Sequence, residues 1–373
     1  MRIKSKELAE KLGVSTATVS LVINNKPGIS KNLRESLTER IVQMGYGEMI
    51  KSGDAPASKP ASSKSGSRAK KTIVYAIYSL EDLGSDQSGF YTHVLEGCDL
   101  QARELGFNLQ MVHIDSKCGC SLADCINLDE CIGVVLQAYQ VTDWIYNDLR
   151  KTGLPFIAVD RYNYSRNLSS VCVNNEDGMF FAIRHLYELG HKNIGYVGSG
   201  FDFNTVIERR RNYHQALREF NLVDRPEFRF LTKVEVAKTT RGSGIFRSLI
   251  NQWSQMEELP TALVCENDIL AVQVLKAVRK MGLKVPEDIS IVGFDDRSMS
   301  QWCDPPLTTV RVHRHLMGRQ AVQLLLNLID MRKSGFKSLP YKVCVGIEFV
   351  PRESTASPKN EIIKINQLQL NMD

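Results

Sequence analysis

Polar side chains at the ends of apolar runs are the chemically most informative feature of this chain. Three such runs, FIAVD, ALVCE and ISIVGF, lead into Asp160, Arg161, Asn267, Asp268, Asp295 and Asp296. In open α/β sheets, ligands bind in the crevice outside the carboxyl ends of the strands. Acidic and amide oxygens that converge there can accept hydrogen bonds from the hydroxyls of a polar small molecule. The pattern therefore predicts a site for a hydroxyl-rich ligand.

The elements that must position these residues begin at Thr72. Short β-rich runs alternate there with helical stretches: TIVYAIY, FNLQMVHI, IGVVLQA, FIAVD, SVCV, NIGYVG, FRFL, ALVC and ISIVGF. Strand and helix in alternation indicate parallel, doubly wound sheets with right-handed crossovers. Because two sets of strands follow one another, we expect two similar lobes.

An enzyme is the main competing class, because doubly wound folds often carry catalysis. The motifs that would indicate one are missing: there is no G-x-S-x-G elbow, no P-loop, no G-x-G-x-x-G after a strand and no H-E-x-x-H. His185 and His191 lie in a predicted helix and at its end, where histidine is common without catalysis. The sequence therefore favours a binding protein without a cofactor.

Four of the nine cysteines crowd together as Cys118, Cys120, Cys125 and Cys131. Thiolates so close together could bind a metal or form a redox switch, but the spacing fits no common zinc pattern. The competing interpretation places Cys125 and Cys131 around a helix before the strand that begins at Ile132. We favour this second interpretation and predict no metal site.

The segment IKSKELAEKLGVSTATVSLVINNK (3–26) predicts a helix-turn-helix. Leu8, Ala9 and Leu12 recur at helical spacing, Gly13 breaks the pattern, and Ser15 can cap a second helix. That helix would bury Val19, Val22 and Ile23. A third helix after Ser30 has an apolar stripe that would complete the core, formed by Leu33, Leu37, Ile41 and Met44.

The other face of the second helix presents small and hydrogen-bonding groups suited to a DNA major groove: Thr16, Ala17, Ser20, Leu21 and Asn24. The charge distribution agrees, because residues 1–71 carry 14 Lys and Arg against 6 Asp and Glu. The excess of positive charge therefore lies where phosphates would be met. Double-stranded DNA is the first partner that the sequence predicts.

Residues 51–71 contain no large apolar side chain and consist mainly of Ser, Ala, Gly, Pro and Lys, so we expect a flexible basic linker.

The whole chain has 373 residues, 43% of them hydrophobic, which suits a globular protein of two or three domains. Because no run is long and apolar enough for a signal core or a membrane span, we expect a cytoplasmic protein with reduced cysteines.

Several long, ordered motifs resemble the LacI/GalR family of bacterial transcriptional regulators. The first is GVSTATVSxVxNNK, followed by LxxxIxxMGY. The others are RHLYELGHKNIGYVG (184–198), RRRNYHQAL (209–217), TALVCENDILAVQVLKAVRKMGLKVPEDISIVGFDD (261–296), PPLTTVR (305–311) and VPREST (350–355). Together they cover nearly the whole chain. The resemblance implies a dimeric repressor with a body like periplasmic sugar-binding proteins. In such a body the ligand lies in the cleft between two lobes, and the chain crosses between them three times.

Through this resemblance, Asp160, Arg209, Asn267 and Asp295 match positions that hydrogen-bond the effector, usually a sugar or a purine. We expect a carbohydrate, because acidic groups and Asn accept from hydroxyls while Arg donates. Other interpretations stay open: Asn267 and Asp295 could instead cap the segments that follow them. Phe90 is a further candidate, which either stacks on a sugar ring or packs at the head of its helix.

The resemblance also places Thr16 and Ala17 where side chains read base edges, while Ser15, Ser20 and Asn24 would hold phosphates. Leu21 departs from the family, which commonly has Arg there, and this predicts an altered or relaxed operator preference. The family's Pro-Asn and leucine-bearing hinge helix after Gly45-Tyr46 are also missing, since GEMIKSGD follows. We therefore expect weaker DNA bending and weaker coupling between ligand and DNA.

The predicted domains are the DNA-binding head (1–46), the linker (47–71), the body (72–356) and a tail (357–373). Within the body, the first lobe would comprise 72–172 and 312–340, and the second lobe 173–311 and 341–356. The tail is too short and irregular for a tetramerising coiled coil, so we expect a homodimer formed through the body. An alternative keeps the DNA head but uses a protein coregulator, as catabolite-control members of the family do.

Overall fold

The computed structural model describes residues 8, 9, 12, 14–23, 31–44, 71–79, 89–115, 119–138, 140–162, 166, 168–232, 243–253, 255–335 and 339–359. The chain forms two compact units, Met1–Arg68 and Ala69–Asp373, which we call the head and the body. Asn24, Cys118, residues 47–70 of the linker and the tail beyond 359 lie outside the described residues.

The head contains helices α1 (Thr16–Ile23) and α2 (Lys31–Gln43), preceded by helical residues at Leu8, Ala9 and Leu12. The Ser15 hydroxyl oxygen accepts a hydrogen bond from the backbone N–H of Thr18 at 3.1 Å, as expected of a helix cap. The head core consists of Leu8, Ala9, Leu12, Val19, Val22, Leu37 and Ile41.

Two residues of the predicted stripe on the third helix do not belong to this core. Leu33 and Met44 are 42% and 38% exposed, whereas Leu37 and Ile41 are buried. The prediction was therefore wrong for the outer two positions. Leu37 and Ile41 are one helical turn apart and already face the small core, so the ends of the stripe extend beyond it.

The body alternates strands and helices along the chain. In the first half the order is β1 (Thr72–Ser79), α3 (Phe90–Glu104), β2 (Asn108–Asp115), α4 (Leu122–Cys125), β3 (Cys131–Ala138), α5 (Asp143–Lys151), β4 (Phe156–Val159), β5 (Ser169–Val173), α6 (Asn175–Glu188), β6 (Ile194–Ser199) and α7 (Asn204–Glu219). The second half continues with β7 (Arg229–Thr232), α8 (Ser243–Trp253), β8 (Ala262–Cys265), α9 (Asp268–Lys280), β9 (Ser290–Val292), α10 (Ser298–Trp302), β10 (Thr309–Val312), α11 (Arg314–Lys333), β11 (Lys342–Val345) and β12 (Ile347–Val350).

Two parallel sheets form the two lobes. The first lobe has the strand order β11-β5-β4-β3-β1-β2, and the second has β7-β6-β8-β9. The inner strands β1, β3 and β4 of the first sheet read as nearly continuous apolar runs because helices cover both faces of such sheets. Every strand predicted from the sequence is present, which confirms the α/β body of two doubly wound lobes.

The remaining strands, β10 and β12, pair antiparallel between the lobes. Bridges from Val292 to Thr308 and from Asp295 to Arg311 join this ribbon to the end of β9.

One boundary differs from the sequence prediction, which placed 341–356 in the second lobe. Lys342–Val345 instead pairs with β5, so the chain completes the edge of the first sheet before it crosses at Gly346.

Helices α3 and α11 lie against each other in the first lobe at a crossing made of glycines. A Cβ atom on Gly318 would lie 2.0 Å from the carbonyl oxygen of Val94, and one on Gly97 would lie 2.1 Å from that of His315. Only glycine permits backbones to approach this closely. The Cys98 thiol also donates to the carbonyl of Gly318 at 3.3 Å. This crossing fixes the two helices that begin at Phe90 and Arg314.

Candidate functional site

Three of the strand-end aspartates have unusual backbone conformations. Asp160, Asp295 and Asp296 have φ angles of 58°, 107° and 48°. Non-glycine residues rarely occupy this region, and each such conformation costs about 1–3 kcal/mol. All three side chains are nevertheless buried. Strained aspartates at the carboxyl ends of two sheets mark the cleft as the candidate site.

Arg209 of α7 makes the central contacts of the second lobe. Its Nη2 donates to Asp295 Oδ1 at 2.9 Å, its Nη1 to the Glu266 carbonyl at 2.7 Å and its Nε to Asn175 Oδ1 at 2.9 Å. The guanidinium also lies 3.8 Å from the centroid of the Phe294 ring. Arg209 is thus buried, fully oriented and paired with a carboxylate, as an anchoring group for a ligand would be.

Asp160 joins the first lobe to the same helix. Arg161 Nη1 donates to Asp160 Oδ2 at 2.6 Å and to Thr205 Oγ1 at 3.0 Å. Thr205 precedes Arg209 by one turn of α7, so Asp160 faces the helix that carries Arg209. The Tyr91 hydroxyl donates to Asp160 Oδ2 at 3.2 Å.

Phe90 of the first lobe makes a cation–π contact with Arg297 of the second lobe. The guanidinium carbons of Arg297 and Arg314 lie 5.7 and 5.8 Å from the centroid of its ring. Arg297 Nε also donates to Asp295 Oδ2 at 3.1 Å. The structure therefore brings together what we call the interlobe cluster, defined as Phe90, Asp160, Arg209, Asp295 and Arg297. Stacking of a sugar on Phe90 would require one of the two guanidinium groups to move.

Asn267 is the N-cap of α9. Its side-chain oxygen accepts from the backbone N–H of Leu270 at 3.0 Å, which agrees with the capping interpretation. The side-chain nitrogen is the only group of that amide that can donate to a ligand. A ligand contact at Asn267 stays a prediction.

The buried carboxyl of Asp268 lies directly behind the cluster. It accepts hydrogen bonds from Thr309 Oγ1 and the Arg297 backbone N–H, both at 2.6 Å. Burial, followed by the nearby charge of Asp295, raises the pKa of Asp268 to about 7, against the opposing effect of these hydrogen bonds. Burial likewise raises the pKa of Glu266, the neighbour that accepts from Ser199.

Asp268→Asn is expected to flatten the pH dependence of stability. The pKa of Asp268 rises from an ordinary 3.8 to about 7 on folding, so its proton favours the folded state. That contribution is complete below about pH 4 and is lost as the pH rises through about 7. Urea unfolding measures the free energy of unfolding at each pH. Between acidic and mildly alkaline pH, this free energy should fall by up to about 4 kcal/mol more in the wild type than in the variant. Parallel pH profiles would contradict this, and exposed Asp304→Asn serves as the control.

Sequence reasoning missed three side chains that complete the site. Arg297 follows the predicted Asp295-Asp296 pair by one residue, Thr205 precedes Arg209 by one helical turn, and Asn175 begins α6. Proximity to predicted residues was the available signal for Arg297 and Thr205. Asn175 offered none, because its contacts with Arg209 and Glu208 depend on how α6 packs against α7.

The predicted DNA-binding residues lie on or beside α1. Ser15, Thr16 and Ser20 are exposed, and Leu21 is partly buried. Ser15 Oγ is also within 2.9 Å of Thr18 Oγ1, so this predicted phosphate contact doubles as the helix cap. Ala17 belongs to α1, but its side chain and the whole of Asn24 lie outside the described residues. Their contacts with DNA stay predictions.

The cysteine cluster shows no metal-binding arrangement among its described members. Cys120 and Cys125 are exposed, and Cys131 is buried at the start of β3. Within the described part of the chain, the one group of potential metal ligands is His93, Glu96 and His315. Among the described residues, no helix is long and apolar enough to cross a membrane.

Comparisons with known proteins identify two domains. The model of bacterial regulatory proteins of the lacI family matches residues 5–47, and that of the periplasmic binding protein-like domain matches residues 183–355. The chain therefore combines a lacI-type regulatory region with a periplasmic binding protein-like domain. The first match covers α1 and α2 in full, and the second covers Arg209, Asn267 and Asp295.

Similar proteins agree over most of the length. The HTH-type transcriptional repressor PurR of Aliivibrio salmonicida is 28% identical over 327 residues, which are 87% of this chain and 91% of that protein. The repressor CytR of Escherichia coli is 27% identical over 336 residues, 88% of this chain and 91% of its own. The solved transcriptional regulator CelR-cellobiose complex superimposes with a TM-score of 0.64 at 23% identity, covering 95% of this chain and 100% of that one. These relatives are named transcriptional repressors, not enzymes.

Proposed function

We propose that this repressor binds a palindromic operator as a homodimer and that a small hydroxyl-rich ligand, a sugar or sugar derivative, controls it from the interlobe cluster. The observation that carries the proposal is the buried ion pair between Arg209 and Asp295, at 2.9 Å. It presents a donor and an acceptor where the two lobes meet. Ligand hydroxyls can exchange with such groups without leaving a buried charge unpaired.

The distribution of the cluster over both lobes explains how a ligand could act. Phe90 and Asp160 come from the first lobe, whereas Arg209, Asp295 and Arg297 come from the second. A ligand that contacts both sets binds one relative position of the lobes more tightly than others, and only this difference in affinity can shift a conformational equilibrium. Because the family's hinge helix is missing from the sequence, we propose that this shift reaches the heads less strongly than is usual for the family.

The homodimer rests on the symmetry of operators and on an exposed apolar surface. A two-fold protein reads two half-sites of a palindrome. Leu100, Leu105 and Met111 are 48%, 42% and 59% exposed on or beside α3 and the edge strand β2. A second copy of the chain would cover these side chains. We place the dimer contact on this face of the body.

A thermal-shift screen tests the ligand assignment. Sugars, sugar phosphates, nucleosides and purine bases would each be added to the purified protein, because a ligand of the folded state raises the apparent Tm. We expect a concentration-dependent rise with a neutral carbohydrate. A rise only with purine bases would contradict the carbohydrate assignment, and silence across the panel would favour the protein coregulator.

A further inference from the structure

Two histidines and a glutamate that do not belong to the interlobe cluster converge on the surface of the first lobe. His93 Nδ1 lies 2.9 Å from Glu96 Oε2, and His315 Nε2 lies 3.4 Å from the same oxygen. The His93 and His315 rings are 5.2 Å apart. We propose that these three residues, which we call the His-Glu triad, bind a divalent transition-metal ion such as zinc.

The ligand types and their spacing suit this ion. Zinc takes imidazole nitrogen and carboxylate oxygen at about 2.0–2.2 Å, so ligand atoms of a tetrahedral site lie about 3.3 Å apart. The three ligand atoms here lie within 4.8 Å of one another, and two of their separations are close to that tetrahedral edge. Small rotations of half-exposed side chains would complete the geometry.

The backbone beneath the triad is already fixed. His93 and Glu96 are three residues apart on α3 and therefore share one helix face. His315 is the second residue of α11, and its carbonyl oxygen is the atom against which Gly97 packs. The glycine crossing thus holds the two helices in one register directly below the three ligands. An ion would meet a preorganised site rather than have to assemble one.

Two nearby arginines are already paired with carboxylates, which reduces their repulsion of the ion. Arg319 pairs with Glu104, and Arg311 contacts both Asp296 and Glu348. His93 and His315 also line a groove of about 690 Å³. Three protein ligands leave a tetrahedral ion one position for water or another ligand, and the groove provides the space for it.

The competing interpretation is an ordinary surface ion pair, in which His93 and His315 only surround Glu96. Both interpretations are consistent with the same distances, but they predict different results when a metal ion is added. A surface ion pair contributes little to stability and does not bind zinc selectively. Binding and its dependence on all three side chains therefore decide between them.

The test uses the full chain, freed of metal with a chelator and titrated with Zn²⁺ by calorimetry and with Co²⁺ by visible absorption. We expect one equivalent to bind, with a Co²⁺ spectrum of nitrogen and oxygen ligands and a rise in Tm. His93→Gln, Glu96→Gln and His315→Gln should each weaken binding by at least about 100-fold, because each removes one of three direct ligands. His113→Gln, an exposed histidine of β2, is the matched control.

Three outcomes would overturn the proposal. One is no binding by the wild-type chain, and another is unchanged affinity in His315→Gln. The third is a Co²⁺ spectrum dominated by thiolate charge transfer, which would place the ion on exposed cysteines such as Cys120 and Cys125. Since the three triad side chains are about half-exposed, the metal-free variants should keep the Tm of the wild type.

Discussion

Replacing Gly318 with alanine is expected to destabilise the body by at least about 3 kcal/mol. The new Cβ would lie 2.0 Å from the Val94 carbonyl oxygen, 2.7 Å from the Cys98 amide nitrogen and 2.9 Å from the Gly97 carbonyl carbon. All three are backbone atoms, so no side-chain rotation can relieve the clash. The higher helix propensity of alanine returns only about 1 kcal/mol. The helices must separate, which disrupts the core between α3 and α11.

Urea unfolding followed by circular dichroism measures this effect. Gly346→Ala is the matched control, because no atom lies within 4 Å of its Cβ position and its φ is not positive. We expect the control to unfold at the wild-type midpoint or slightly above it. A Gly318→Ala midpoint equal to that of the control would show that α3 and α11 do not approach as closely as described.

The second large effect is expected for Arg209→Met, which should lower the free energy of unfolding by about 3–5 kcal/mol. Methionine matches much of the volume of arginine but leaves Asp295, the Glu266 carbonyl and Asn175 without their shared donor. Arg297 still contacts Asp295, so the loss is limited to one partner of that carboxylate. The same variant should lose the ligand-induced rise in Tm, since it removes the anchoring donor of the interlobe cluster.

A double-mutant cycle separates these contributions. Arg209→Met, Asp295→Asn and the double variant give the coupling energy of the pair, which we expect to exceed about 1 kcal/mol. Arg210→Met is the control, because this neighbouring arginine only approaches the exposed Asp202 at 3.8 Å and should change stability by less than about 1 kcal/mol. Equal losses for Arg209→Met and Arg210→Met would contradict the central position of Arg209.

Much of the fold was predictable because its physical signals are local. The runs at 72–78, 132–138 and 262–265 are apolar, β-rich and bounded by turns, which is what strands buried on both faces require. The short strands β10, β11 and β12 were not predicted. Each spans four residues and mixes charged or polar side chains with apolar ones, so their pairing depends on partners distant in the sequence, as with Lys342–Val345 and β5.

The site was predictable at the level of position but not of partner. Asp160 and Asp295 follow predicted strands, so their placement at the cleft could be inferred from the sheet rule. The positive φ that they share could not be inferred from the sequence. The pairing of Arg209 with Asp295 could not, because it depends on how α7 lies across the second lobe. The capping role of Asn267 likewise became visible only through the hydrogen bond from Leu270, and its ligand contact stays a prediction.

Selection of genomic DNA tests the central claim most directly. The purified protein would be incubated with sheared DNA from its host at near-physiological salt, and the retained fragments sequenced, with Ser20→Glu as a control whose carboxylate would repel phosphates. We expect a sharply enriched palindrome that the control does not retain. Retention without sequence preference, lost as salt is raised, would show that the head binds only phosphates and would contradict the proposed function as an operator-specific repressor.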